Sequence, residues 1–154
     1  MPKIDIQSVP ERKGSGYPAP FHLPAGERVR QRLGDAGGLT QFGVNLLRLP
    51  PGAWSSQRHW HSAEDEFVWV LSGEVALITD AGEQILRPGD CAAFPKGRPD
   101  GHHLINKSKE MAVLIEVGTR SRDDVCDYPD IDLRIDERVG HYTHKDGTPY
   151  PPRS

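Results

Sequence analysis

At 154 residues the chain has the length of one domain, enough to bury a core without disulfide staples. Its 19 Lys and Arg against 22 Asp and Glu leave a formal charge of −3, so no cationic excess grips a phosphate backbone and nucleic acid is not an expected partner. No apolar stretch approaches the roughly 18 residues of a membrane span, the N-terminus lacks an apolar signal region, and Cys91 and Cys126, without CxxC spacing, read as reduced thiols of a cytoplasmic protein.

Fourteen prolines and 16 glycines punctuate the chain every few residues, which favours short strands and turns over helices. Residues 1–25 read as an extended arm with little core content. Strands are predicted over 41–49, which Pro50-Pro51-Gly52 terminates, and over 66–71. Ser72-Gly73 is a two-residue turn expected to return an antiparallel strand over 74–79. Asp80-Ala81-Gly82 closes a hairpin into 83–87, and Pro88-Gly89 fits the centre of a type II turn. Strands over 91–94, 102–106 and 111–117 complete the set, with no convincing helix. Short strands at this spacing indicate an all-β sandwich or barrel over 26–118. Residues 119–154 change composition: Ile131, Leu133 and Ile135 alternate with Asp132 and Arg134, the pattern of one half-buried strand in a tail of the same domain.

The chemistry concentrates in two segments. In the first, six residues separate Gly52 from His59-Trp60-His61, four more lead to Glu66, and six more to Gly73. Side chains two apart on a strand face the same way, so His59 and His61 project together while Trp60 points aside. The carboxylate of Glu66 on the next strand gives three ligands for one ion. In the second segment five residues join Gly89 to Pro95-Lys96-Gly97, four lead to His102, and three to Asn106. A barrel interior can bring such distant strands together.

These segments resemble the two conserved motifs of the cupin superfamily. The resemblance implies a double-stranded β-helix (jelly-roll) barrel and a metal site of His59, His61, Glu66 and His102. One departure exists: four residues, where the family motif has two, separate Gly97 from the motif-two histidine. His102 and His103 therefore compete for that role. The spacing to Asn106 and strand parity carry it to His102. Glu66 matches the carboxylate position, leaving Glu64 and Asp65 as solvated loop charges. Three nitrogens and one oxygen, with no thiolate, suit Fe, Mn, Ni, Co or Zn and leave coordination positions open. Cupins of this build include isomerases, dioxygenases and lyases, and one-domain bacterial members labelled sugar-phosphate isomerase; non-catalytic ligand-binding cupins are the alternative. A small molecule is the expected partner in each case.

Around this constellation the residues read more plainly. With Glu66, Val68 and Val70 inward, Phe67, Trp69 and Leu71 face outward as an apolar stripe that the tail or a second subunit of a homodimer is expected to cover. Trp54 and Trp60 read as packing residues, and Cys91 as a small buried one. Arg48, Gln57, Arg58 and Lys96 lie near the expected barrel mouth, more in keeping with solvated surface than with an anion site. His22, His141 and His144 read as surface residues.

Overall fold

The computed structural model describes residues 2–153. Among these residues, thirteen strands form three antiparallel sheets. The largest runs β1(Glu11–Lys13), β2(Val29–Arg32), β3(Phe42–Leu49), β10(Ala112–Thr119), β5(Glu66–Ser72) and β8(Cys91–Phe94) in spatial order. A three-stranded sheet orders β7(Gly82–Leu86), β6(Val75–Thr79) and β9(His103–Ile105), and a four-stranded one β13(Tyr142–Thr143), β12(Leu133–Asp136), β11(Val125–Tyr128) and β4(Trp60–His61). The only helical pieces among the described residues are a 3-10 turn at Ile6–Ser8 and the single-turn α1(Leu33–Ala36), neither of which was expected. Helix α1 is possible because Gly34 lies against the backbone of Val44, where a side chain would collide.

The alternation in β5 sets the barrel interior. Val68 and Val70 are buried with Leu47, Leu49, Val75, Leu77, Leu104 and Leu114, an aliphatic core. Phe67, Trp69 and Leu71 face outward, at 37%, 48% and 44% exposure. The expected hairpin at Ser72-Gly73 does not form. The chain instead crosses between sheets there: β5 pairs with β10 and β8, and β6 with β7 and β9. Gly73 has φ of 73°, and a Cβ on it would strike the Met111 carbonyl, so the crossing needs this glycine. The hairpin at Asp80-Ala81-Gly82 is present, with Thr79 opposite Gly82. At Pro88-Gly89 the Asp90 amide donates to the Arg87 carbonyl at 2.8 Å and Gly89 has φ of 93°, as a type II turn requires.

Both termini contribute more than their sequence promises. The arm pairs Glu11–Lys13 with β2 and buries Tyr17 and Ala25 in a second core with Cys126, Tyr128 and Leu133. The tail supplies three strands rather than one, and β11 is the strand that holds β4 in a sheet. Leu133 is fully buried in this second core; the tail does not cover the Phe67, Trp69, Leu71 stripe. The sequence missed this because the burying partners are aromatics scattered through Pro-rich and acidic segments, with no strand period. Cys91, expected to be buried, is exposed opposite Trp69 on the outer face of the sheet.

Candidate metal centre

His59, His61, Glu66 and His102 converge between the two cores. The Nε2 atoms of His61 and His102 lie 2.9 and 2.5 Å from the two oxygens of Glu66, and that of His59 lies 3.4 Å away. His59 and His102 are joined by reciprocal backbone hydrogen bonds of 3.1 and 2.9 Å, which set their rings 4.8 Å apart. The ring of His61 stands 5.0 Å from that of His59, as same-face neighbours on an extended chain should. His102 stacks on Phe94, centroids 3.6 Å apart and rings nearly parallel.

The second nitrogens of two rings are anchored from behind. His59 Nδ1 lies 2.8 Å from the Gln57 carbonyl, and His61 Nδ1 lies 2.6 Å from Asp124 Oδ2. An imidazole that donates through Nδ1 presents a bare Nε2 to an ion, and a carboxylate partner raises its basicity. Asp124 is itself fixed, almost wholly buried and accepting from the Ala63 amide at 2.9 Å. Burial opposes charge on His61, but the hydrogen bonds to Asp124 and Glu66 and their charges prevail, raising its pKa to about 10. Burial likewise opposes charge on Glu66, yet the charge on His59 and hydrogen bonds from all three histidines hold it well below the usual carboxylate range. Desolvation lowers the pKa of His102. Three imidazole nitrogens around the half-buried Glu66 carboxylate form a donor set that fits a divalent transition metal.

His103 is excluded from this cluster. Its Nδ1 meets the Ser56 carbonyl at 2.9 Å and its ring packs edge-on against Trp54. The two extra residues after Gly97 are absorbed by a clamp before His102: Arg58 bonds the Gly101 carbonyl, Asp80 and both oxygens of Asp130, and the Asp80 amide bonds Asp100. Asn106, fully buried, donates to the carbonyls of Leu49 and Glu110, which fixes the strand end behind His102.

The cluster opens into a cavity of about 590 Å³. A second cavity of about 240 Å³, walled by Trp60, Phe94 and Arg98, shares His61 and His102 with it. The large cavity lies between the barrel and the tail, with Tyr17, Tyr128 and Tyr142 on its wall. None of Arg48, Gln57, Arg58 and Lys96 lines it. Gln57 is buried on the Phe21 carbonyl, Arg48 bonds Gln31, Arg58 is the clamp above, and Lys96 is exposed. Gln57 and Arg58 thus correct the solvated-surface expectation, because the turn that positions His59 tucks both against neighbouring segments.

The arginines that do line the cavity are Arg28, Arg30, Arg32 and Arg120, alongside the acidic Asp35, Glu64, Glu66, Glu116 and Glu137. Arg28, just before β2, and Arg30 and Arg32 within it sit at alternate positions, a period-two signal that is visible in the sequence but was not read as a cluster. Glu64 is a further correction: it lines the cavity and accepts from the Ser121 amide at 2.9 Å, whereas Asp65 is an exposed staple to the Lys96 amide. Asp124 and Tyr128 were missed outright; the tail gave no motif to find them by. Of the outlying histidines, His141 is exposed, His144 pairs with Asp132, and His22 is half-buried.

Residues 45–118 match the family model for the cupin domain. The structure resembles a sugar phosphate isomerase from a cupin superfamily of Silicibacter pomeroyi, at 47% identity and TM-score 0.91 over 97% of each chain. A protein of Acidithiobacillus ferrooxidans with a provisional sugar phosphate isomerase name is 35% identical, TM-score 0.71, over 76% of this chain and 74% of that one. The polyketide cyclase RemF of Streptomyces resistomycificus shares the fold at 18% identity, TM-score 0.61, over 77% of this chain and 79% of that one. Among curated proteins none matches. A family match over the barrel and a near full-length relative at 47% identity agree with the geometry: the chain belongs to the cupin superfamily.

Proposed function

We propose that the protein is a metal-dependent isomerase of a small, oxygen-rich organic molecule, using one divalent transition metal held by His59, His61, Glu66 and His102. The observation that carries this reading is the opening of the four-residue cluster into a cavity of about 590 Å³, room for a small substrate beside the ligands. A closed structural site has no such vestibule. When bound, the ion supplies Lewis acidity to a substrate oxygen. The chain's own residues do the rest. His59 and His61 are oriented by Gln57 and Asp124, and Tyr17 and Tyr128 wall the cavity against solvent. Isomerase, rather than oxygenase or lyase, is favoured by the names of the two relatives above 30% identity, both sugar phosphate isomerases.

Incubating the metal-loaded protein with aldose and ketose phosphates in deuterated water, and following them by proton NMR, tests the reading. Interconversion that His59→Ala abolishes is expected. Oxygen uptake on loading with Fe(II), without interconversion, would move the protein to the oxygenases. No turnover of any kind would leave a ligand-binding cupin. A homodimer that covers Phe67, Trp69 and Leu71 completes the proposal, since those exposed side chains form a contiguous apolar face.

A further inference from the structure

The cavity wall contains a buried cation that no carboxylate contacts directly. Arg28 is nine-tenths buried, at 9% exposure. Its Nε donates to the Gly14 carbonyl at 3.0 Å and its Nη1 to the Ser55 carbonyl. Two of its five N–H donors are thereby used, and no carboxylate among the described residues comes within ion-pair distance. Its neighbours differ. Arg30 is held by both oxygens of Glu116 at 2.7 and 3.1 Å, and Arg32 and Arg120 share Asp35. The face of Tyr17 lies 5.9 Å from the guanidinium carbon, a weak compensation for lost water.

Burying a guanidinium is costly unless an anion or a full set of acceptors replaces its hydration. A fork with unused donors on a cavity wall matches the bidentate geometry of an oxyanion. The Ser55 carbonyl that orients Arg28 lies four residues before His59, so the fork and the metal cluster are built from one turn and face one cavity.

We infer that Arg28 is the receptor for an oxyanion group of the substrate, a phosphate ester or a carboxylate, bound in the same cavity as the metal-held end. This rests on the proposed function for the identity of the second anchor. Arg28 acts as a binding and orienting residue. Burial penalises the Arg28 charge and depresses its pKa, and an arriving anion offsets that penalty.

The experiment uses the full chain, as purified and after dialysis against a chelator. Arginines are modified with phenylglyoxal in the presence or absence of inorganic phosphate or malonate, and modified peptides are mapped by mass spectrometry. Arg28 is expected to react and to be protected saturably by at least one anion in both preparations. The exposed Arg12 and Arg122 should react equally with and without anion. Protection by phosphate alone identifies a phosphate ester, and by malonate alone a carboxylate. Arg28→Lys should weaken binding of the protecting anion about tenfold or more, one charge-assisted hydrogen bond at about 1.4 kcal/mol per tenfold. An Arg28 that does not react, or that neither anion protects, overturns the inference and makes the residue a strut between arm and barrel. Protection that disappears with the metal assigns the anion to the ion and also overturns it. Protection that persists in a protein shown to bind no metal supports the oxyanion receptor while sinking the metal reading.

Discussion

Replacing Asp124 by Asn probes the centre through a residue that touches no substrate. The substitution keeps the shape of a side chain that is almost wholly buried, but removes its charge. Asp124 makes two contacts, one oxygen 2.6 Å from His61 Nδ1 and the other 2.9 Å from the Ala63 amide. An asparagine can accept from only one of these donors. If its carbonyl stays on Ala63, its amide faces His61 Nδ1, which must then accept, moving the ring proton to Nε2. That proton occupies the atom aimed at Glu66. If the amide turns instead to Ala63, two donors oppose each other in a buried place, a cost of about 1–3 kcal/mol. Either arrangement weakens His61 as a ligand. Loss of such a carboxylate typically lowers metal affinity about 10–100-fold, or roughly 1.4–2.7 kcal/mol. A competition titration of zinc between the protein and a chelating dye reads this directly, with a thermal melt to show that the variant is folded. A folded variant that binds zinc as tightly as the wild type would refute the role given to Asp124 and weaken the case for His61.

Three further outcomes are expected. His102→Ala should lose metal affinity far more than His103→Ala in the same titration; the reverse order would mean that the residues inserted after Gly97 shift the ligand. Leu133→Ala truncates a fully buried side chain of the second core and should cost about 2–5 kcal/mol, read as a lower midpoint in urea; an unchanged midpoint would make the tail a passenger. Trp69→Lys should convert a dimer to a monomer by light scattering, and a wild-type mass equal to one chain would remove the proposed subunit contact.

The barrel was legible because its strands obey a local rule. Alternation in β5 places Glu66, Val68 and Val70 inside, and Pro50, Pro88 and the glycines mark the ends of elements. The candidate ligands were legible for the same reason, since His59, His61 and Glu66 lie within one hairpin-sized segment, and the spacing to Asn106 with strand parity separates His102 from His103. What failed was non-local. A turn at Ser72-Gly73 looks like a hairpin until Met111, from another strand, is known to crowd it. Asp124 supports a histidine 63 residues away, and nothing in its own neighbourhood marks it. Tyr17 and Tyr128 meet at 5.6 Å from opposite ends of the chain, so neither terminus alone reveals the second core. Gln57 and Arg58 were read as solvated surface because the groups that tie them down, the Phe21 and Gly101 carbonyls, Asp80 and Asp130, are distant in the chain.

Metal content decides the central claim most directly. Elemental analysis of the purified wild-type chain should find about one divalent transition metal per chain, held by three imidazoles and one carboxylate. The double variant His59→Ala/His61→Ala, purified in the same way and shown to be folded, should hold none. Equal metal content in the two proteins would contradict the account, because the bound ion would then lie somewhere other than the cluster of His59, His61, Glu66 and His102.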